Sequence, residues 1–373
     1  MEQSFIPLKH GVGIDMGKDE FHACISAIDA SQRIKIKATH AFKNTPKGTD
    51  EFYKWIGHHV KDPALSIQFL MEATGVYYEQ LALFLHKKAA YVCVVLPQKA
   101  KHYIKALGIK TKTDGVDAQA LATMVCQQRL EAWRPISEAM YKLRQLTRQQ
   151  IDLQKFKTQL SNQLMALETG MYHSPEVKKQ LTKLIAEIDK QLADCEKLIA
   201  KAIADNPEWK RKVAKICTIK GVGLLTVANL ITETNEFVLF ENQRQLVSYA
   251  GYDVVENQSG KRVGKTRISK RGNSRIRRAL HMASLMVVRY EQTPFLGLYE
   301  RVFERTKIKM KGYVAVQRKL LTLIYALWKK DEQYEGSFVS KGQKKAAPTE
   351  GATLHQPELV VLNEVNTEEL IES

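Results

Sequence analysis

No apolar run in this 373-residue chain approaches the roughly 18 residues that span a bilayer. The first residues, Met1-Glu2-Gln3-Ser4-Phe5-Ile6-Pro7, show neither the basic start nor the apolar stretch of a secretion signal. A cytoplasmic protein without a membrane partner is the expectation. Cysteine is sparse. Cys24, Cys93, Cys126, Cys195 and Cys217 stand singly with no CxxC pair, which excludes a disulfide frame and a cysteine zinc site. Acidic charge is in deficit, with 40 Asp and Glu against 57 Lys and Arg, a net charge of +17. Such an excess favours a polyanionic partner, and with no basic amphipathic anchor in view, nucleic acid is expected ahead of a membrane surface. The deficit is also local: no Asp or Glu occurs between Lys261 and Arg278, and no Lys or Arg between Ala346 and Ser373.

Against that basic background, four carboxylates stand out. Asp15 closes an apolar run in Gly13-Ile14-Asp15-Met16-Gly17, and Glu72 closes another, Ile67-Gln68-Phe69-Leu70-Met71-Glu72. Asp114 and Asp117 lie three apart in Lys112-Thr113-Asp114-Gly115-Val116-Asp117-Ala118, at the start of a helical pattern. Carboxylates at two strand ends and an i, i+3 pair on a helix can converge on one point, where their repulsion calls for a cation such as Mg²⁺. A simpler role is open to each. Asp114 suits a helix cap, Asp117 the first-turn dipole, and Glu72 a lysine pair. An unpaired carboxylate ending an apolar strand is costly, however, and Gly17, Gly75 and Gly115 leave room for a substrate.

Periodicity divides the chain into four parts. Residues 8–132 read as an α/β domain. The strand with Asp15 is followed by β-rich His22–Ile28 and Arg33–Phe42, a helix over Lys47–Val60, a strand over Ser66–Glu72 and a helix over Val76–Lys88. A strand over Tyr91–Leu96 and helices over Pro97–Leu107 and Val116–Arg129 complete it. Three β segments and then a βαβα order imply a mixed sheet covered by helices. Residues 137–206 read as a long antiparallel coiled-coil hairpin. Leu146, Leu153, Leu160 and Leu167 recur every seven residues with Phe156 on their face, and Ile185, Leu192 and Ile199 do so after a breaker at 169–175. Such a hairpin serves either as plain core or as an oligomerisation element. Residues 210–335 read as a mainly α domain in which Lys220-Gly221-Val222-Gly223 lies between apolar helices. This is a helix-hairpin-helix pattern, whose glycines let a phosphate approach a helix start, and a structural turn is its alternative. Residues 337–373 read as a disordered acidic tail.

The 261–278 stretch carries nine basic residues, Lys261, Arg262, Lys265, Arg267, Lys270, Arg271, Arg275, Arg277 and Arg278. A solvated helix face usually mixes both signs, so single-sign density points to phosphate contact. Ser259 stands just before it in Asn257-Gln258-Ser259-Gly260, which by itself is a good β-turn sequence.

The motif Gly-Ile-Asp-Met-Gly-Lys, with Met-Glu-Ala-Thr-Gly-Val-Tyr and Lys-Thr-Asp-Gly-Val-Asp-Ala, resembles the RuvC-type ribonuclease-H-like domain of DEDD insertion-sequence transposases. DEDD exonucleases match less well, because they place a Glu where this chain has Gly17. Leu246-Val247-Ser248-Tyr249-Ala250-Gly251, Gln258-Ser259-Gly260, Ile268-Ser269-Lys270-Arg271-Gly272-Asn273 and Arg277-Arg278-Ala279-Leu280 resemble the C-terminal domain of the same family. The resemblance covers residues 8–330 and leaves out the acidic tail. It implies that Asp15, Glu72, Asp114 and Asp117 bind Mg²⁺ or Mn²⁺. It also implies that Ser259, ahead of Ser269, Ser274, Tyr249 or Tyr252, is the nucleophile. A structured non-coding guide RNA bridging donor and target DNA is a further implication. Concerted cutting of several strands implies a homo-dimer or tetramer. The competing expectation is a hydrolytic Holliday-junction-type nuclease that uses the carboxylates alone; a non-catalytic nucleic-acid scaffold is the third.

Overall fold

The computed structural model describes residues 5–255, 258–259, 262–264 and 267–335, apart from the side chains of 258–259 and 262–263. Lys261, Lys265 and the expected acidic tail lie outside the described residues. The chain forms two compact units, Met1–Tyr141 and Lys142–Ser373.

The first unit is built on a five-stranded sheet. Strand β1 (Pro7–Met16) pairs antiparallel with β2 (Glu20–Asp29), which pairs antiparallel with β3 (Ile34–Lys43). After helix α1 (Pro46–His59), β4 (Ser66–Glu72) joins β1 in parallel. Helix α2 (Glu79–Lys87) then leads to β5 (Tyr91–Val95), parallel to β4, and helices α3 (Pro97–Ala106) and α4 (Asp114–Gln127) follow. The order β3-β2-β1-β4-β5 gives the mixed sheet of the expected α/β, RNase H-like domain. Side chains alternate across a strand. Val12, Ile14 and Met16 on β1 therefore join Phe21, Phe52, Phe69, Met71, Leu81 and Leu85 in one core under α1 and α2. Leu70, Cys93 and Val95 pack on the opposite face with Ala100, Leu121, Met124 and Val125 of α3 and α4.

Several boundaries shift by one to three residues from the sequence reading, and two of the shifts have a clear local reason. Helix α2 starts three residues later than Val76, after a turn in which Gly75 takes φ +58°. Helix α4 starts at Asp114, two residues earlier than Val116, because the Thr113 hydroxyl accepts from the Val116 amide at 3.3 Å and caps it.

The unit boundary falls within α5 (Glu138–Thr169), a 32-residue helix, and α6 (Pro175–Ala204) adds 30 residues. The two run antiparallel. Lys178 pairs with Glu168 near the turn, Lys157 with Asp189 further along, and the Cys195 thiol donates to the Leu146 carbonyl at 3.2 Å. Leu192, Cys195 and Ile199 are buried, whereas Leu153, Leu160 and Leu167 are only half-buried, so the seam thins toward the tip. Phe156, expected on that seam, is 55% exposed, and Met171 and Tyr172 at the turn are 88% exposed.

Helices α7 (Pro207–Ile216), α8 (Leu224–Thr234) and α9 (Gln243–Tyr249) follow. Two short ribbons come next. Strand β6 (Val254–Val255) pairs with β9 (Arg267–Ile268), and β7 (Gln258–Ser259) with β8 (Arg262–Val263). Helices α10 (Ser274–Arg289), α11 (Thr293–Thr306) and α12 (Lys309–Lys330) close the unit. Its core gathers Trp209, Val213, Leu230, Ile231, Phe237, Leu280, Val287, Leu320, Ile324 and Trp328. Among the described residues no helix is long and apolar enough to cross a membrane.

Candidate active site

Strand parity and one close helix contact bring the four carboxylates together. Gly11, Gly13 and Asp15 share the β1 face that α4 covers. A Cβ on Gly13 would lie 2.1 Å from the Ala122 nitrogen and 2.2 Å from the Ala118 oxygen, and one on Gly11 2.7 Å from the Ala122 oxygen. Only glycine lets backbone approach backbone this closely. On the neighbouring strand Cys24 packs against Ala118 and Ala122. The helix therefore runs back along β1 and sets its first turn, with Asp114 and Asp117, at the strand end carrying Asp15. Because β4 runs parallel to β1 with Met71 opposite Ile14, Glu72 falls beside Asp15, one step past the last paired residues.

His22 joins this group. It pairs in register with Asp15, and its Nδ1 stands 3.8 Å from Asp114 Oδ2. With Thr113 serving as the α4 cap, the Asp114 side chain is left 69% exposed. Glu72 accepts from the Thr74 hydroxyl at 2.8 Å. The crowding shows at Asp15, whose carboxyl is raised to about 6. Burial is the main cause, followed by the charges of Asp114, Asp117 and Glu72, and His22 opposes them. Among the described residues no three His, Cys, Asp or Glu side chains are gathered closely enough to ligate an ion. The donor chemistry and the negative field around Asp15 nonetheless fit a hard divalent cation, which would relieve that field.

In the second unit, Ser259 lies on β7 opposite Arg262, beyond the β6–β9 pair. Its side chain lies outside the described residues. The base of the ribbon is tied down where Ser269 donates to Asp253 Oδ1 at 2.6 Å through its hydroxyl and to the Asp253 carbonyl at 2.8 Å through its amide. Two residues past β9, Lys270 adopts φ +51° and its amide meets the Gly251 carbonyl at 3.1 Å. Asn273 then caps α10 and donates from Nδ2 to Glu233 Oε2 at 2.7 Å. Glu233 is buried on α8, where Arg148 of α5 grips it with bonds of 2.7 and 3.1 Å. Burial alone would raise the Glu233 carboxyl, but the hydrogen bonds from Arg148 and Asn273 carry it below its ordinary value. The root of the long hairpin is thus fastened to the start of α10 through one carboxylate.

Two family models match the chain, a DEDD transposase of the IS110 type over residues 12–173 and the transposase IS116/IS110/IS902 family over residues 213–300. The first spans the helix start with Asp114 and Asp117, and the second spans Ser259 and the basic stretch. The chain belongs to the IS110 transposase family. Likeness to individual proteins agrees. A pilin gene-inverting protein of Moraxella bovis is 29% identical over 87% of this chain and 97% of its own length. The transposase for insertion sequence element IS1111A of Coxiella burnetii is 23% identical over 65% of this chain and 72% of its own. The solved Thermus thermophilus RuvC structure covers 33% of this chain and 99% of its own at 12% identity, with a TM-score of 0.26, too slight a likeness to add to the topology above.

The basic residues of this transposase fall into distinct environments. Arg267, Lys270 and Arg271 are exposed, but Arg275, Arg277 and Arg278 are half-buried on α10. Arg277 Nη1 donates to the Ala250 carbonyl at 2.9 Å, and Arg278 feels the charge of Asp152. The two glycines after Lys220 also differ. Gly221, at φ +99°, lets the turn press on α10, where a Cβ would meet Met286 Cβ at 2.8 Å. Gly223 precedes α8 with nothing near its Cβ position, the open side a phosphate approach requires. Of the other nucleophile candidates, Tyr252 is buried with its hydroxyl donating to Gln317, and Ser269 is tied to Asp253. Tyr249 donates to the Glu233 carbonyl at 3.1 Å. Sequence reasoning missed His22, Glu233 and Arg148. The placement of His22 on the face of Asp15 depends on the β1–β2 register, which no local pattern signals.

Proposed function

We propose that this transposase cuts and rejoins donor and target DNA through a phosphoserine at Ser259, with Asp15, Glu72, Asp114 and Asp117 as its cation-binding centre. The observation that carries the reading is the convergence of the four carboxylates on one end of the α4-covered sheet face, with Asp15 raised to about 6 by burial and by the other three. Mg²⁺ or Mn²⁺ held by these residues would supply Lewis-acid polarisation of a phosphoryl oxygen. The chain supplies the rest. Ser259 Oγ attacks the scissile phosphorus, the P–O3′ bond breaks, and the serine proton leaves with the departing 3′-hydroxyl. In rejoining, a 3′-hydroxyl attacks the phosphoserine, a new P–O3′ bond forms, and Ser259 Oγ recovers a proton. Bond energy is retained because the phosphate never passes to water. Exposed Arg267, Lys270 and Arg271 lie close in the chain to Ser259 and are suited to offset charge on the transferring phosphate.

A guide RNA that pairs with donor and target, and an assembly of two or four chains, complete the proposal. The protein then reads backbone and shape while base pairing selects sequence. The test is denaturing electrophoresis of reactions with a DNA substrate. Wild type is expected to form a covalent protein–DNA adduct that both Ser259→Ala and Asp15→Asn abolish. Unchanged strand cleavage by Ser259→Ala would overturn the serine step and favour hydrolysis by the carboxylates alone.

A further inference from the structure

We propose that α3 and the segment 107–113 form a phosphate-binding face that holds the scissile DNA strand as it enters the carboxylate centre. Residues 80–113 contain seven lysines and no Asp or Glu. Ala100 and Tyr103 fix the inner side of α3, the first buried with Leu121 and Val125 and the second donating from its hydroxyl to Gln127 Oε1. That packing turns Lys99, Lys101, His102 and Lys105 outward, and all four are exposed. Lys110 and Lys112 continue the run in a segment that is exposed throughout and ends at Thr113, the cap of α4. The next residue is Asp114. Chain connectivity therefore delivers a row of cations to the edge of the carboxylates.

A solvated lysine face is the simpler account, and the hairpin of this same protein shows what one looks like. There Lys155, Lys157, Lys178 and Lys197 each meet a carboxylate within 4 Å. Lys99, Lys101, Lys105, Lys110 and Lys112 have no such partner among the described residues. Lys101 and Lys105 are also like charges at i, i+4, an arrangement that weakens a helix. The helix C-terminus accounts for Lys105 alone. Exposed Leu96, Leu107 and Ile109 interleave with the cations. A polyanion with apolar sugar and base surfaces complements that mixture. The strand to be cut must pass the carboxylates, which selects DNA among polyanions.

The inference rests on the carboxylates as the site of cleavage, yet its test needs no cleavage. The full chain is acetylated at lysine without divalent ions, free and bound to a random-sequence DNA duplex, and read by mass spectrometry. Modification of Lys99, Lys101, Lys105, Lys110 and Lys112 is expected to fall severalfold on binding, while exposed Lys179 and Lys183 on the hairpin stay reactive. Equal reactivity with and without DNA overturns the proposal, as does protection by single-stranded RNA and not by DNA. As a second measurement, Lys99→Gln, Lys101→Gln and Lys105→Gln together should lower the slope of log affinity against log salt by about 2.7, at about 0.9 per phosphate contact. Lys179→Gln with Lys183→Gln should leave the slope as it was. A triple variant with native thermal unfolding and an unchanged slope also overturns the proposal. A failed serine mechanism would leave both readouts intact, so the two ideas fall separately.

Discussion

The carboxylate centre and the serine ribbon are built in opposite ways. The first sits on strands of ten and seven residues, with a helix locked against the longer one by glycine and alanine. The second is carried on paired strands of two residues each, tied at their base by Asp253 and Ser269. Gathered negative charges repel, so a stiff scaffold is needed to keep them at one end of the sheet. The proposed nucleophile carries no such penalty and needs reach instead. The contrast teaches that rigidity lies where electrostatics demands it.

Substitutions that damage one side and spare the other separate the two constructions. The largest effect is expected from Glu233→Ala, which strips Arg148 and Asn273 of their buried acceptor beneath the ribbon. A loss of about 3 kcal/mol in urea unfolding is expected, together with loss of the DNA adduct, and Glu233→Gln should fall between. A change in Glu233→Ala smaller than about 0.5 kcal/mol would sink the anchoring role. On the other side, Gly13→Ala should cost about 2 kcal/mol by overpacking and move the first turn of α4 away. Titration of Asp15 by NMR would then show its carboxyl returning toward the ordinary range. Gly57, with open space at its Cβ position, is the control, and its alanine variant should gain about 0.5–1 kcal/mol.

Asp15→Asn should abolish the DNA adduct while stabilising the cation-free protein at neutral pH. The sign follows from linkage. The folded carboxyl titrates near 6 and the unfolded one near 3.8, so the native state binds more protons between those values and loses stability as pH rises through them. The asparagine variant should lose that slope and gain on the order of 1 kcal/mol above pH 6 after solvent screening. A steeper slope in thermal unfolding across that window would contradict the crowding. Wild type should also gain more from added Mg²⁺ at pH 7 than at pH 5, because binding requires the ionised carboxylate. Smallest is Ser269→Ala, expected to loosen the ribbon base by about 0.5 kcal/mol. Hydrogen exchange at the Ser269 amide would report it, and unchanged protection would remove the tether from the account.

Much of the first unit was legible in the sequence because period-2 alternation and caps are local. The Ser66–Glu72 strand and the carboxylate ends needed nothing from elsewhere in the chain. The start of α4 was misjudged by two residues because Gly115 weakens the helical pattern and the Thr113 hydroxyl overrides it. His22 escaped notice since its position depends on antiparallel register with Asp15. Glu233 did so because its partners stand 40 and 85 residues away. Charge density proved a poor guide to exposure. Arg277 and Arg278 belong to the densest basic stretch yet are half-buried, whereas the lysines of α3 are spread thinly and lie outside.

The contact of Gly11 and Gly13 with Ala118 and Ala122 also bears on thermal motion. Two backbones that close together have no side-chain layer between them to absorb relative displacement. Helix α4 and strand β1 must then fluctuate as one body, so Asp15, Asp114 and Asp117 move in phase when the sheet breathes. Glu72, on the neighbouring strand, is held to that body by the β1–β4 ladder and not by this backbone contact. Relative motion within the proposed cation site should therefore be smallest among the three aspartates and larger between them and Glu72.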